Sequence, residues 1–97
     1  MIKYEIAVVF NPNFDEEALK AEFDKIVNYI TRFGGEIEKV DNWGKRKLAY
    51  EINKITEGYY YFIAVSGPNT LPKEVEARLR INEGLLRYLV TKRPDQE

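Results

Sequence analysis

A chain of 97 residues, 44% apolar and 13% aromatic, is long enough to fold as one packed domain, because chains of this size bury roughly 60–70% of their unfolded surface. It has no cysteine and no histidine, which excludes disulfides, thiolate metal sites and thiol nucleophiles, and removes the commonest general base and metal ligand. A net charge of −1 argues against a generic nucleic-acid binder, but the charge is segregated: Asp15, Glu16, Glu17, Glu22 and Asp24 outnumber the nearby cations, whereas residues 84–93 carry Arg87, Lys92 and Arg93 and no acid.

Ile2, Tyr4, Ile6, Val8 and Phe10 alternate with Lys3, Glu5, Ala7 and Val9, the period of a strand. Asn11-Pro12-Asn13 breaks it, and Asn13 or Asp15 is placed to cap the next element. From Glu16 the apolar residues Leu19, Phe23, Ile26, Val27, Ile30 and Phe33 recur at spacings of three and four, which predicts a helix ended by Gly34-Gly35. A long strand over Ile37–Ile52 follows with a fault in its phase: Ile37 and Val40 fall on opposite faces of an ideal strand. Gly44 in its middle signals a bulge or sharp twist. Leu48, Tyr50 and Ile52 restore the alternation and read as anchoring the strand to the core, and Asn53 to Gly58 read as a turn.

Tyr59 to Val65 is apolar on both faces, as a central strand is. Gly67-Pro68-Asn69 ends it. A second helix is expected over Leu71–Asn82, capped by Thr70 or Asn69, with Pro72 tolerated in its first turn and Leu71, Val75, Leu79 and Ile81 inward. Asn82-Glu83-Gly84 reads as a turn, Leu85–Arg93 as the last strand, Pro94 as its stop and residues 95–97 as a short flexible C-terminal tail to a single domain over 1–94. The N-terminus is unlike a signal peptide and no apolar run nears the ~20 residues of a membrane span, so a cytoplasmic protein is expected. Strand, helix, strand, strand, helix, strand with right-handed crossovers predicts an α+β fold, the ferredoxin-like split βαβ (βαββαβ): a four-stranded antiparallel sheet with the first and third strands central and both helices on one face.

Trp43 with Lys45, Arg46 and Lys47 is the densest cationic cluster. On a strand the three point alternately, Lys45 and Lys47 one way, Arg46 with Leu48 the other. Lysines on an edge strand also serve to keep sheets from pairing edge to edge. The competing use is phosphate contact beside a stacking tryptophan. Gly58-Tyr59-Tyr60-Tyr61-Phe62-Ile63-Ala64-Val65 loosely resembles the third strand of an RNA-recognition motif, with Tyr59 and Tyr61 as base-stacking candidates. Glu57 and Tyr60 depart from that signature, and a half-buried central strand explains the same residues. Arg87, Lys92 and Arg93 on the last strand form a second basic group, which the topology places at the opposite sheet edge from the first. No phosphate-binding loop, metalloprotease helix, nucleophile elbow or calcium loop occurs, so nothing here indicates an enzyme.

Taken together, "YEIAVVFNPN" (4–13), "GGEIEKVDNWGKRKLAYEI" (34–52), "GYYYFIAV" (58–65) and "LRINEGLLRYLVTK" (79–92) resemble the family of the sixth protein of the bacterial small ribosomal subunit, over roughly residues 1–94. The resemblance implies the split βαβ fold, no enzymatic activity and no cofactor or metal. It further implies binding to small-subunit ribosomal RNA in the central domain together with a protein partner, ribosomal protein S-eighteen. Carried over by position, the RNA-facing candidates are Trp43, Lys45, Arg46 and Lys47, then Lys92 and Arg93, and lastly Lys3. Ala7, Val9 and Phe62 on the open sheet face are candidates for the protein partner. The runner-up is a single-strand RNA-binding module of the recognition-motif type; a small-molecule regulatory domain on the same fold is third.

Overall fold

The computed structural model describes residues 2–52, 54–82 and 84–93, the side chain of Ala49 excepted. The elements are β1 (Ile2–Phe10), α1 (Glu16–Arg32), β2 (Glu36–Ile52), β3 (Ile55–Gly67), α2 (Leu71–Arg80) and β4 (Leu85–Lys92). The strands form one antiparallel sheet in the order β2-β3-β1-β4, the split βαβ arrangement expected, with β1 and β3 in the middle. The expected stop at Pro94 and the tail over 95–97 lie outside the described residues.

Alternation decides the core. Tyr4, Ile6, Val8 and Phe10 of β1 lie opposite Val65, Ile63, Tyr61 and Tyr59 of β3 on the face that the helices cover. Leu19, Ile26 and Ile30 of α1 and Leu71, Val75 and Leu79 of α2 close over them. Each such apolar side chain contributes about 1.5–3 kcal/mol by leaving water. Asp15 caps α1, its Oδ1 accepting from the Ala18 N–H at 2.8 Å. Thr70 precedes α2 without a side-chain cap; the Leu71 N–H donates instead to the Pro68 carbonyl at 3.0 Å.

Three sequence expectations are corrected. The second helix stops at Arg80, and Ile81 is 71% exposed rather than inward, because two residues beyond Leu79 lies on the far side of a helical turn. The stretch read as a turn over 53–58 is mostly strand: Ile55 pairs with Ile52, Glu57 with Lys47 and Gly58 with Arg46, and Lys54 takes the left-handed φ of 68° beside Asn53, which itself lies outside the described residues. Leu48, Tyr50 and Ile52 do not anchor β2 in the core. Tyr50 is 61% exposed, because β2 and β3 run past the end of the helices as an overhanging hairpin, and the molecule is 38 Å long against 24 and 20 Å.

Gly58 marks where β3 leaves the core. A Cβ there would stand 2.5 Å from Val9 Cγ1 and 3.1 Å from the Phe10 carbonyl oxygen. Gly58→Ala is therefore expected to destabilise the fold by about 1–3 kcal/mol through overpacking, read as a lower urea midpoint at unchanged m-value.

Candidate nucleic-acid interface

The phase fault in β2 has a structural cause. Glu38 is unpaired: Ile37 faces Val65 and Lys39 faces Ala64, so the extra residue brings Ile37 and Val40 onto one face. A second bulge falls at Trp43, between Asn42 opposite Tyr61 and Gly44 opposite Tyr60. Gly44 has φ 74°, and its N–H donates to Asn42 Oδ1 at 2.8 Å. Left-handed backbone costs glycine little, so the bulge forms where the sequence signalled it.

That bulge throws Trp43, 51% exposed, onto the sheet face that carries no helix. Its ring centroid is 4.6 Å from that of Phe62, and Phe62 is 6.4 Å from Tyr60. Arg46 completes the row: its Nε–H donates to the Trp43 carbonyl at 2.9 Å and its guanidinium carbon sits 5.5 Å from the tryptophan ring centroid. The guanidinium is thus oriented before any ligand arrives, a geometry suited to phosphate. Lys45 points to the other face, 5.5 Å from the centre of Tyr59, as alternation requires. Lys47 lines a shallow cleft with Trp43, Arg46 and Tyr60.

Ala7, Val9, Tyr60, Phe62, Arg87 and Leu89 continue the same open face toward β4. Arg87 belongs to the opposite edge, yet its guanidinium lies 5.7 Å from the ring centre of Tyr50 on the overhanging hairpin. The two edges therefore meet above one end of the sheet, a proximity that strand order does not suggest.

At the other end, Lys3 Nζ donates to Glu38 Oε2 and Arg93 Nη2 to Glu38 Oε1, each at 2.7 Å. Arg93 Nη2 also donates to the Val65 carbonyl at 3.1 Å, and its backbone N–H to the Lys3 carbonyl at 3.0 Å. Lys92 is exposed at the same end of the sheet, but it pairs with Tyr4 and by alternation belongs to the helix-covered face. The sequence-derived candidates thus fall into two groups, Trp43 with the three neighbouring cations and Lys3 with Lys92 and Arg93, at opposite ends of the sheet. The hydrogen bond from Arg93, then that from Lys3, holds the Glu38 carboxyl at about 2, below its ordinary 4.5. A carboxyl more acidic in the folded chain stabilises the fold above its unfolded value, and that stabilisation fades as pH falls from about 4.5 toward about 2. Glu38→Gln should accordingly lower the urea midpoint at pH 7, by a small amount because the ion pairs are exposed, with the difference from wild type closing by about pH 2.

The Ile37/Val40 phase fault in the sequence is the trace of the bulge in which Glu38 stands. The base-stacking candidates of the recognition-motif reading are also corrected. Tyr61 is only 9% exposed and packs edge-to-face on Phe10 at 5.6 Å and against Phe23 at 4.8 Å, and burial raises its hydroxyl pKa. Tyr59 shares that face; the aromatics on the open face are Tyr60, Phe62 and Trp43. Among the described residues no group of acidic side chains could hold a metal ion, and no helix is long and apolar enough to cross a membrane.

A family model described as ribosomal protein S6 matches residues 3–92. The small ribosomal subunit protein bS6 of Clostridium novyi (strain NT) is 47% identical over 90 residues, 93% of this chain and 95% of that protein. The bS6 of Heliobacterium modesticaldum is 40% identical over 96 residues, 99% of this chain and 100% of that protein. The crystal structure of 30S ribosomal protein S6 from Thermotoga maritima has the same fold, with a TM-score of 0.90 at 30% identity over 95% of this chain and 87% of that one.

Proposed function

The chain belongs to the ribosomal protein S6 family, whose members are structural proteins of the small ribosomal subunit and not enzymes, and from that premise we propose that it binds small-subunit ribosomal RNA of the central domain jointly with ribosomal protein S-eighteen. Its place is the cytoplasmic ribosome. The observation that carries the reading is the row of Arg46, Trp43, Phe62 and Tyr60 on the helix-free face, with a pre-oriented guanidinium at one end and continuous apolar surface toward β4. Arg46 and Lys47 supply phosphate contacts at the edge. The apolar stretch over Ala7, Val9, Phe62 and Leu89 suits a protein partner, because charge-poor apolar surface forms the centre of protein interfaces. Lys45 reaches RNA only from the helix side of the edge.

A net charge of −1 is compatible with this division of labour. A subunit of a heterodimer needs few phosphate contacts of its own, and each contributes about 0.7–0.9 to the slope of log affinity against log salt. The test is binding to a central-domain rRNA fragment with and without the partner protein across a salt series, together with co-sedimentation with small subunits. Joint binding with a shallow salt slope is expected; failure to co-sediment at moderate salt would sink the reading.

A further inference from the structure

Two arginines of this molecule lie over aromatic rings, and they belong to opposite edges of the sheet. The guanidinium carbon of Arg46 in β2 is 5.5 Å from the centre of Trp43, and that of Arg87 in β4 is 5.7 Å from the centre of Tyr50. Register brings the second pair into line with the first. Gly44 pairs with Tyr60, Tyr60 with Val9 and Val9 with Arg87, so one row crosses all four strands from the Trp43 bulge to Arg87. Tyr60, Val9 and Arg87 share the helix-free face, because register partners point the same way and Tyr61, Val8 and Tyr88 take the core side. The hairpin is steered toward β4 at Gly58, whose backbone passes so close to Val9 that a Cβ would meet its Cγ1 at 2.5 Å. Arg87 and Tyr50 are both exposed. A guanidinium stacked on a ring keeps its N–H edges available to the two oxygens of a phosphate and has less side-chain freedom to lose on binding.

We propose that Arg87, steadied by Tyr50, is a second phosphate contact for RNA, and that the RNA backbone crosses the hairpin end of the open face from Arg46 to Arg87. β2 and β4 stand three strand spacings apart, about 14 Å, so the two arginines meet different phosphates. Ala7, Phe62 and Leu89 form the next row of the same face, farther from the hairpin. Leu89 there is 54% exposed, and this row remains for the protein partner. The open face is thus divided, with RNA at its hairpin end and protein beyond it. The proposal deepens the rRNA reading and rests on it for the identity of the ligand, but not for the existence of an anion site at Arg87.

Two measurements on the full chain decide the matter. In the first, inorganic phosphate is titrated into isotope-labelled protein and the Nε–H signal of Arg87 is followed. A saturable shift is expected in wild type, with a midpoint about two- to fivefold higher in Tyr50→Leu. In the second, the central-domain rRNA fragment is bound in the presence of the partner protein across a salt series. Arg87→Gln should bind about three- to tenfold more weakly at roughly 0.1 M salt, with a slope shallower by about 0.7–0.9. Arg87→Lys keeps the charge, so it should restore the slope but not the full affinity. Tyr50→Leu should weaken binding about two- to fivefold at unchanged slope, and should add nothing in the Arg87→Gln background. The losses from Arg46→Gln and Arg87→Gln should add in log affinity, because separate phosphates are involved. An unmoved Arg87 signal, or an unchanged slope in Arg87→Gln, overturns the proposal. So does a loss of affinity for the partner protein alone, which would make Arg87 a protein contact. If wild type itself fails to bind the rRNA fragment, the functional reading falls, while the phosphate titration still decides whether Arg87 is an anion site.

Discussion

Tyr61→Ala is expected to cost about 3–5 kcal/mol of folding stability, whereas Tyr60→Ala, one residue away, should cost about 1 kcal/mol and act instead on binding. The difference follows from alternation. Tyr61 fills the space between Phe10 and Phe23 beneath α1, and truncation leaves a cavity that neither neighbour can fill without leaving its own position. Tyr60 lies on the open face beside Phe62, with its ring partly in solvent. Urea unfolding of the two variants measures the first quantity. Binding of a single-stranded oligonucleotide, with and without the partner, measures the second. Base–aromatic stacking is worth about 1–3 kcal/mol per base, so a large loss of oligonucleotide affinity in Tyr60→Ala would favour a single-strand RNA module over the joint rRNA–protein surface.

Replacing Lys45, Arg46 and Lys47 together by Ala should leave the urea midpoint nearly unchanged and weaken the partner–rRNA complex about tenfold or more at roughly 0.1 M salt, with a shallower salt slope. None of the three side chains contributes to the core, so folding has little to lose. The single variants should not share the effect equally. Arg46, held over Trp43 and bonded to its carbonyl, is expected to carry the largest part. Lys45, turned toward Tyr59 on the other face, should carry the least. Unchanged affinity in the triple variant would show that the cations serve only to protect the edge strand.

How far the sequence could lead depended on whether a feature was local. The opposite facing of Lys45 and Arg46 could be worked out by counting, and the bulge at Gly44 was signalled by a glycine in a strand, but Lys47, which counting groups with Lys45, lines the cleft beside Arg46. Residues 53–58 could not be assigned so easily: Thr56, Glu57 and Gly58 have turn-like composition, and only pairing with β2 makes them strand. The overhang was hidden for a related reason. Leu48, Tyr50 and Ile52 alternate as core residues do, but alternation does not reveal that the helices end before the sheet does. Glu38 shows the intermediate case. Its bulge left a trace in the phase of Ile37 and Val40, but its partners come from residues 35 and 55 positions away, a distance that no local pattern spans.

The overhanging hairpin divides the molecule by how readily its parts open. Opposite residues 48–51 of β2, β3 supplies only Thr56, and little apolar surface holds this region to the rest. Backbone amides there should exchange with deuterated solvent through local opening at small free-energy cost, while those of Ile6 and Ile63 should exchange only on near-global unfolding. Arg46 and Lys47 lie at the border between the two regimes. The rigid sheet therefore sets the direction of these side chains, and the compliant tip beyond them can reshape itself to a ligand without drawing on the stability of the core.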